Sequence, residues 1–384
     1  MTNPIPVQVF ENQLPQMQTR LHEIVELESP STNKSSLDSL GKRLVEMLAP
    51  LNPKIKIDNQ PLAGDNIVAS WPDNSGNTGG GFLLLCHFDT VHALGMLSEN
   101  PIRVSNGKMY GPGIIDMKAS IIQVIFALQT LRDNDRWPAP PITLLLTSDE
   151  EVGSESSRPL IESLGQDADL VLCMEPALPE GELKTARKGV ARFDVITKGK
   201  ASHSGAAHED GINAIEEMAH QIIALQKLTD YASGSTISVG KITGGTRTNV
   251  VPDECHVTVD MRVPTPSEAT RMINLVNNLK ACVPGSEIHI TGGIEREPMP
   301  RTPEIAQAFQ KAAEIGKSLG LSLQEGSTGG GSDANIIAPY QIPILDGLGP
   351  QGDGAHTNNE SLTLSSMAPR TALLAGILSE WLSN

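Results

Sequence analysis

Aromatic residues are scarce in this chain of 384 residues, at 3% of the total, which leaves little to build the stacking platforms that hold single-stranded nucleic acid. Cations are scarce too. Lys and Arg number 29 against 45 Asp and Glu, a net charge of −16. That balance repels phosphate backbones and anionic lipid, so neither nucleic acid nor a membrane is expected as a partner. No apolar run reaches the roughly 18 residues of a membrane span, and residues 1–31 lack the apolar segment of a signal peptide. Val9, Phe10, Leu14, Met17, Leu21, Ile24 and Val25 recur there at helical spacing instead. The four cysteines, Cys86, Cys173, Cys255 and Cys282, lie far apart with no CxxC pair. They read as reduced core cysteines, three in strand-like runs and Cys282 at the end of a helix-like one, in a cytoplasmic protein. Repeats and low-complexity tracts are missing despite 35 glycines and 27 prolines. What is present is a 39% hydrophobic content, enough to fill real cores and exclude disorder as the main state.

Short continuous apolar runs at 82–86, 142–146 and 169–174 suit strands buried on both faces, and an amphipathic helix is expected over 117–132. Strands alternating with helices predict an α/β domain with a mostly parallel sheet. The pattern changes near Gly189 to strand (190–198), helix (211–228), strand (235–243), strand (254–263), helix (266–282) and strand (286–291). In 254–263, Cys255, Val257, Val259 and Met261 alternate with Glu254, His256, Thr258, Asp260 and Arg262, so one face is buried. The order β-α-β-β-α-β is that of a ferredoxin-like α+β unit, inserted at 188–298 between an α/β part at 1–187 and its continuation at 299–384.

Three of the apolar strands run straight into residues of metal-binding type. These are His87-Phe88-Asp89, Ser148-Asp149-Glu150-Glu151 and Glu175-Pro176. In parallel sheets, sites form beyond the carboxyl ends of strands. Asp116 follows Gly111-Pro112-Gly113 at the head of a helix, and His356 lies in the glycine-rich Gly354-Ala355-His356. Alone, each has an ordinary explanation: a hydrogen-bonded histidine, a helix cap, a solvated acidic turn, a loop histidine. Together, several carboxylates at one sheet end would repel one another and lose hydration unless a cation joined them. Two histidines with three carboxylates suit a pair of borderline cations, most naturally zinc, with cobalt or manganese as substitutes. Adjacent residues of an extended chain point opposite ways, so Glu150 and Glu151 are not expected to ligate one ion together.

These segments, with Gly199-Lys200-Ala201-Ser202-His203-Ser204-Gly205 and Thr328-Gly329-Gly330-Gly331-Ser332-Asp333, resemble those of the dizinc metallopeptidase family that includes glutamate carboxypeptidase, acetylornithine deacetylase, succinyl-diaminopimelate desuccinylase and aminoacylase-1. The spacing of His87 and Asp116 and the pair Glu150-Glu151 lean towards the glutamate carboxypeptidase branch. The resemblance implies that Asp116 bridges two zinc ions, that Glu151 and His356 complete one and His87 and Glu175 the other. Glu150 would be the general base on a water between the metals. Asp89 would accept the second ring N–H of His87 and fix its tautomer. A cis peptide between Asp116 and Met117 is implied as well. The inserted domain would serve dimerisation and closure, with His203 donating to the oxyanion across a homodimer. Arg262, Asn249 and Gly330 would hold the free carboxylate of a small-molecule or short-peptide substrate; the alternative for Arg262 is an exposed sheet arginine paired with Asp260 or Asp253. His92 reads as the rim of the site.

Three functions are compatible with these residues. The first is a carboxypeptidase releasing a C-terminal amino acid, with Glu or Asp preferred because Arg262, Arg247 and Lys188 fall in motifs that by resemblance face the substrate. The second is an N-acyl-amino-acid deacylase. The third, a non-catalytic metal-binding homologue, is disfavoured because every expected ligand and the base are present.

Overall fold

Six strands made of the apolar runs and their neighbours form one sheet. The computed structural model describes residues 4–382. They divide into two units, bounded as Met1–Thr185, Arg301–Ser327 and Ser332–Asn384 for the first and Ala186–Pro300 with Thr328–Gly331 for the second.

In the first unit the strands lie in the order Lys54–Asp58, Asn66–Trp71, Ile142–Thr147, Phe82–His87, Leu170–Cys173 and Ile344–Leu345. The last four are mutually parallel and the first two antiparallel. Phe82–His87 and Ile142–Thr147 are buried along their whole length, as strands covered on both faces must be. Helix Ala119–Asp133 packs against the sheet with helices Val7–Val25 and Leu364–Glu380. It is buried nearly all round rather than amphipathic, and its one deeply set amide, Gln123, donates to the carbonyls of Leu348 and Arg370. Residues Ile114–Asp133 form a stretch long enough, and on average apolar enough, to cross a membrane, but 89% of it is buried inside the protein. It is therefore a core element.

The second unit is a four-stranded antiparallel sheet in the order Thr236–Gly244, Glu254–Val263, Gly189–Lys198, Glu287–Arg296. Helices Ala214–Gln226 and Pro266–Asn277 cover one face through Met218, Leu225, Met272 and Val276. Each helix starts on a side-chain cap, Asn213 accepting from Ile215 and Glu216 and Thr265 from Glu268. The last strand runs five residues past its expected end because Gly292, with φ 111°, admits a close neighbour. A Cβ there would stand 2.1 Å from the Arg192 carbonyl. The helix expected over 266–282 stops at Asn277. Buried Glu217 instead takes the backbone N–H groups of Cys282 and Val283, which leaves Cys282 exposed while the other three cysteines are buried.

Candidate metal centre and active site

Three parallel strands bring their carboxyl ends together. His87 pairs in register with Thr147, and Leu85 with Cys173, so His87, the Glu150–Glu151 turn and Glu175 emerge together at the carboxyl ends of these interior strands. Asp116 comes from the segment after Gly113. That glycine has φ 67°, and a Cβ on it would stand 2.3 Å from Thr90 Cγ2. Asp116 and Met117 depart from helical dihedrals, and the peptide between them is cis. The helix begins only at Ala119, so Asp116 precedes it rather than capping it. His356 sits in a left-handed conformation, φ 65°, in the loop before strand Ser361–Thr363.

The five residues meet in the first unit. His87 Nε2 lies 3.0 Å from Asp116 Oδ1 and 3.6 Å from Glu175 Oε1. His356 Nε2 lies 3.2 Å from Asp116 Oδ2 and 3.1 Å from Glu151 Oε2. His87, Asp116 and Glu151 each present a donor atom within 4.8 Å of the other two. Glu151 Oε1 is buried and has no hydrogen-bond partner among the described residues, an orphan oxygen of the kind a cation satisfies. Two imidazole nitrogens with three carboxylates form a donor set that fits zinc.

The charges make the same demand. Burial opposes charge on His87, yet Asp116, Asp89 and Glu175 outweigh it and hold the ring well above its ordinary range. Hydrogen bonds to Asp116 and Glu151 push His356 up to about 11. Burial works against the Asp116 carboxylate, but His356 and His87 keep it well below the usual carboxylate range. Glu151 moves the other way, raised by burial that His356 only partly offsets. The carboxylates thus draw positive charge onto both rings, and a metal would compete with those protons for the same nitrogens.

Asp89 meets the second ring nitrogen of His87 and holds a neighbouring turn as well. His87 Nδ1 meets its backbone carbonyl at 3.1 Å, with the carboxylate farther off at 3.4 Å. The carboxylate accepts from the backbone of Glu150 at 3.2 Å and of Glu151 at 3.1 Å, and from Ser31 Oγ at 2.7 Å. Glu150 and Glu151 lie on a 3₁₀ turn, Glu150–Val152, not on extended chain. Successive side chains of such a turn diverge by about 120°, so the two still point apart.

His92, expected at a rim, is buried and lies 2.7 Å from Glu360 Oε2. Glu360 also accepts from the backbone of Gly113, Ile115 and Asp116. Reasoning from sequence missed it, because a single acidic residue ahead of a short strand carries no signal.

His203, Asn249, Arg262 and Gly330 belong to the second unit. His203 lies on a two-residue strand paired with Val250-Val251, and the Ser204 N–H bonds the Asn249 carbonyl. His203 Nδ1 accepts from the backbone of Gly205 and Ala206 at 3.1 Å each. Arg262 forms a two-pronged ion pair with Asp260, both bonds 2.8 Å, and its Nη1 approaches the Gly329 carbonyl at 3.4 Å. Arg187 secures the same glycine loop through the carbonyls of Gly330 and Gly331.

The chain is similar to several known proteins. Carboxypeptidase G2 of a Pseudomonas species is 29% identical over 97% of this chain and 90% of its own. A succinyl-diaminopimelate desuccinylase of Verminephrobacter eiseniae is 31% identical over 73% of each. The crystal structure of aminopeptidase PepT from Bacillus cereus superposes with a TM-score of 0.76 at 21% identity, covering 96% of this chain and 98% of that one, which establishes the shared fold. The profile of peptidase family M20/M25/M40 matches residues 83–380, a span that holds every residue of the cluster, and the chain therefore belongs to that family of hydrolytic metalloenzymes.

Proposed function

We propose that the chain is a dizinc hydrolase cleaving an amide or peptide bond beside a free C-terminal amino acid, with Glu or Asp preferred there. The observation that carries the reading is the position of Asp116, whose two oxygens face His87 Nε2 at 3.0 Å and His356 Nε2 at 3.2 Å. A carboxylate with one imidazole at each oxygen is suited to bridge two ions, with His87 and Glu175 completing one and Glu151 and His356 the other. Cobalt and manganese are the substitutes to expect.

When bound, such a metal pair lowers the pKa of water towards neutrality and polarises a carbonyl. Glu150 takes the proton of the attacking water and passes it to the leaving amine. Asp89 holds both glutamates through their backbones. The two N–H groups donating to His203 Nδ1 keep the ring proton on Nε2, where it is available to a developing oxyanion. Arg262, Asn249 and Gly330 bind the substrate carboxylate, for which a guanidinium fork is suited. A homodimer formed through the second unit, acting in the cytoplasm, completes the proposal.

The identity to a desuccinylase favours a second reading, removal of a small acyl group from an amino acid by the same residues. The two separate in one experiment. Zinc-loaded protein is assayed on dipeptides, N-acyl amino acids and their C-terminally amidated counterparts. Cleavage of free-acid dipeptides, fastest with C-terminal Glu or Asp, is expected. Cleavage of N-acyl amino acids alone supports the second reading, and equal cleavage of amidated and free-acid substrates contradicts both.

A further inference from the structure

We propose that Glu360, backed by His92, is a positioning residue that holds two ligand loops of the metal centre in one geometry. The proposal rests on the reading of that cluster as a metal site. Glu360 is fully buried, and each of its oxygens has two partners. Oε1 accepts from the N–H of Ile115 at 2.9 Å and of Asp116 at 3.1 Å. Oε2 accepts from the N–H of Gly113 at 2.9 Å and meets His92 Nε2 at 2.7 Å. Three N–H groups of one short segment therefore converge on a single carboxylate, as they would on a bound anion.

That segment needs an external hold. Gly113 is left-handed and Asp116 lies outside helical dihedrals, so the N–H groups of 113, 115 and 116 are not engaged in a regular ladder. Removing the carboxylate leaves buried donors without acceptors. The main chain of Glu360 ties in the other loop. Its N–H bonds the Thr357 carbonyl at 3.2 Å, closing the turn directly after the one that carries His356, and its carbonyl accepts from Gly111 N at 3.4 Å. One residue thus fixes the backbone of Asp116 through its side chain and the loop of His356 through its main chain. Designed metal sites lose function when ligands wander by more than about 0.5 Å, and partners of ligands typically matter 10–100-fold in metal affinity.

His92 orients the carboxylate. Glu360→Gln keeps one acceptor oxygen but sets an NH₂ against the Gly113 N–H or against Ile115 and Asp116. His92→Leu keeps the carboxylate and removes its fourth partner. His92→Gln retains a donor near Oε2.

The test measures zinc affinity of the full-length protein by competition with a chromogenic chelator, together with cobalt absorption spectra and metal-free melting temperature. Glu217→Gln serves as control, since Glu217 is also buried and holds backbone N–H groups, in the second unit. Glu360→Gln and His92→Leu should weaken zinc binding ~10–100-fold and alter the cobalt bands, and His92→Gln should recover part of the loss. Glu217→Gln should lower the melting temperature and leave zinc affinity unchanged. Affinities within twofold of wild type in both site variants overturn the positioning role alone. So does a loss that tracks melting temperature across all variants, control included. If Glu360→Gln fails to fold, the His92 pair decides by the same criteria. A wild-type protein that takes up no zinc refutes the metal-centre reading itself.

Discussion

Asp89 accepts the backbone N–H of Glu151 at 3.1 Å, and its other oxygen accepts that of Glu150 at 3.2 Å. The carboxylate next to a candidate ligand histidine therefore aims both the proposed base and a proposed ligand. Asp89→Ala should lower kcat/KM about 10–100-fold and weaken zinc binding. Asp89→Asn, which retains one acceptor oxygen, should do less harm. Steady-state kinetics with zinc titration check both, and an innocuous Asp89→Ala would remove the residue from the account.

Glu150 and Glu151 should separate by readout. Glu150→Gln should keep the metals and the melting temperature and lose at least ~10²-fold in rate, the low end for general-base catalysis. Glu151→Gln should lose metal, because Glu151 Oε2 lies 3.1 Å from His356 Nε2 at the proposed site. Metal analysis beside kcat distinguishes them, and the reverse pattern would exchange their roles.

Arg262→Ala should lower kcat/KM about 10–100-fold on free-acid substrates, as expected for a lost charge-assisted contact of ~1.5–3 kcal/mol. It should matter little on amidated ones. Asp260→Asn, which relieves the ion pair without removing the guanidinium, should not reproduce the loss. Equal losses on both substrate types would return Arg262 to a purely structural pair.

Buried Lys118 supplies a pH-dependent prediction. Its ammonium donates to the Leu27 carbonyl at 2.9 Å, but burial pushes its pKa down to about 7 from an ordinary 10.5. The folded protein therefore binds this proton more weakly than the unfolded chain. The penalty is full below pH 7 and disappears as pH rises from about 7 to 10.5. In metal-free protein, Lys118→Met should be stabilised relative to wild type at pH 6, by at most about 5 kcal/mol less the lost hydrogen bond. The gap should close by pH 10.5. Urea unfolding of both proteins across that range reads the difference directly, and a gap that widens with pH would contradict it.

The parts of the fold legible in the sequence were those with a strong period. Phe82–His87 and Glu254–Val263 stand where continuous and alternating apolar patterns put them. Helix Lys34–Leu48 and the antiparallel strands Lys54–Asp58 and Asn66–Trp71 were not read at all. The first of those strands is Lys-Ile-Lys-Ile-Asp, largely exposed at a sheet edge, and it has no buried face to mark it. The strand expected over 286–291 continues through Gly292-Gly293, where the neighbouring strand approaches closely. Within the candidate site, His87, Asp116, Glu151, Glu175 and His356 were visible because each follows an apolar run or a glycine turn. Glu360 and the Asp89–Glu151 bond were not, since both depend on which backbone N–H groups the fold leaves without a partner.

The most direct test of the central claim is the zinc stoichiometry of the chain. Four candidate ligands around one shared carboxylate would suit two ions. Protein stripped with chelator, titrated with zinc and analysed by elemental mass spectrometry should saturate at two equivalents per chain, with hydrolysis abolished by stripping and restored on filling. Saturation at none or one, or hydrolysis indifferent to the chelator, would contradict the dizinc account.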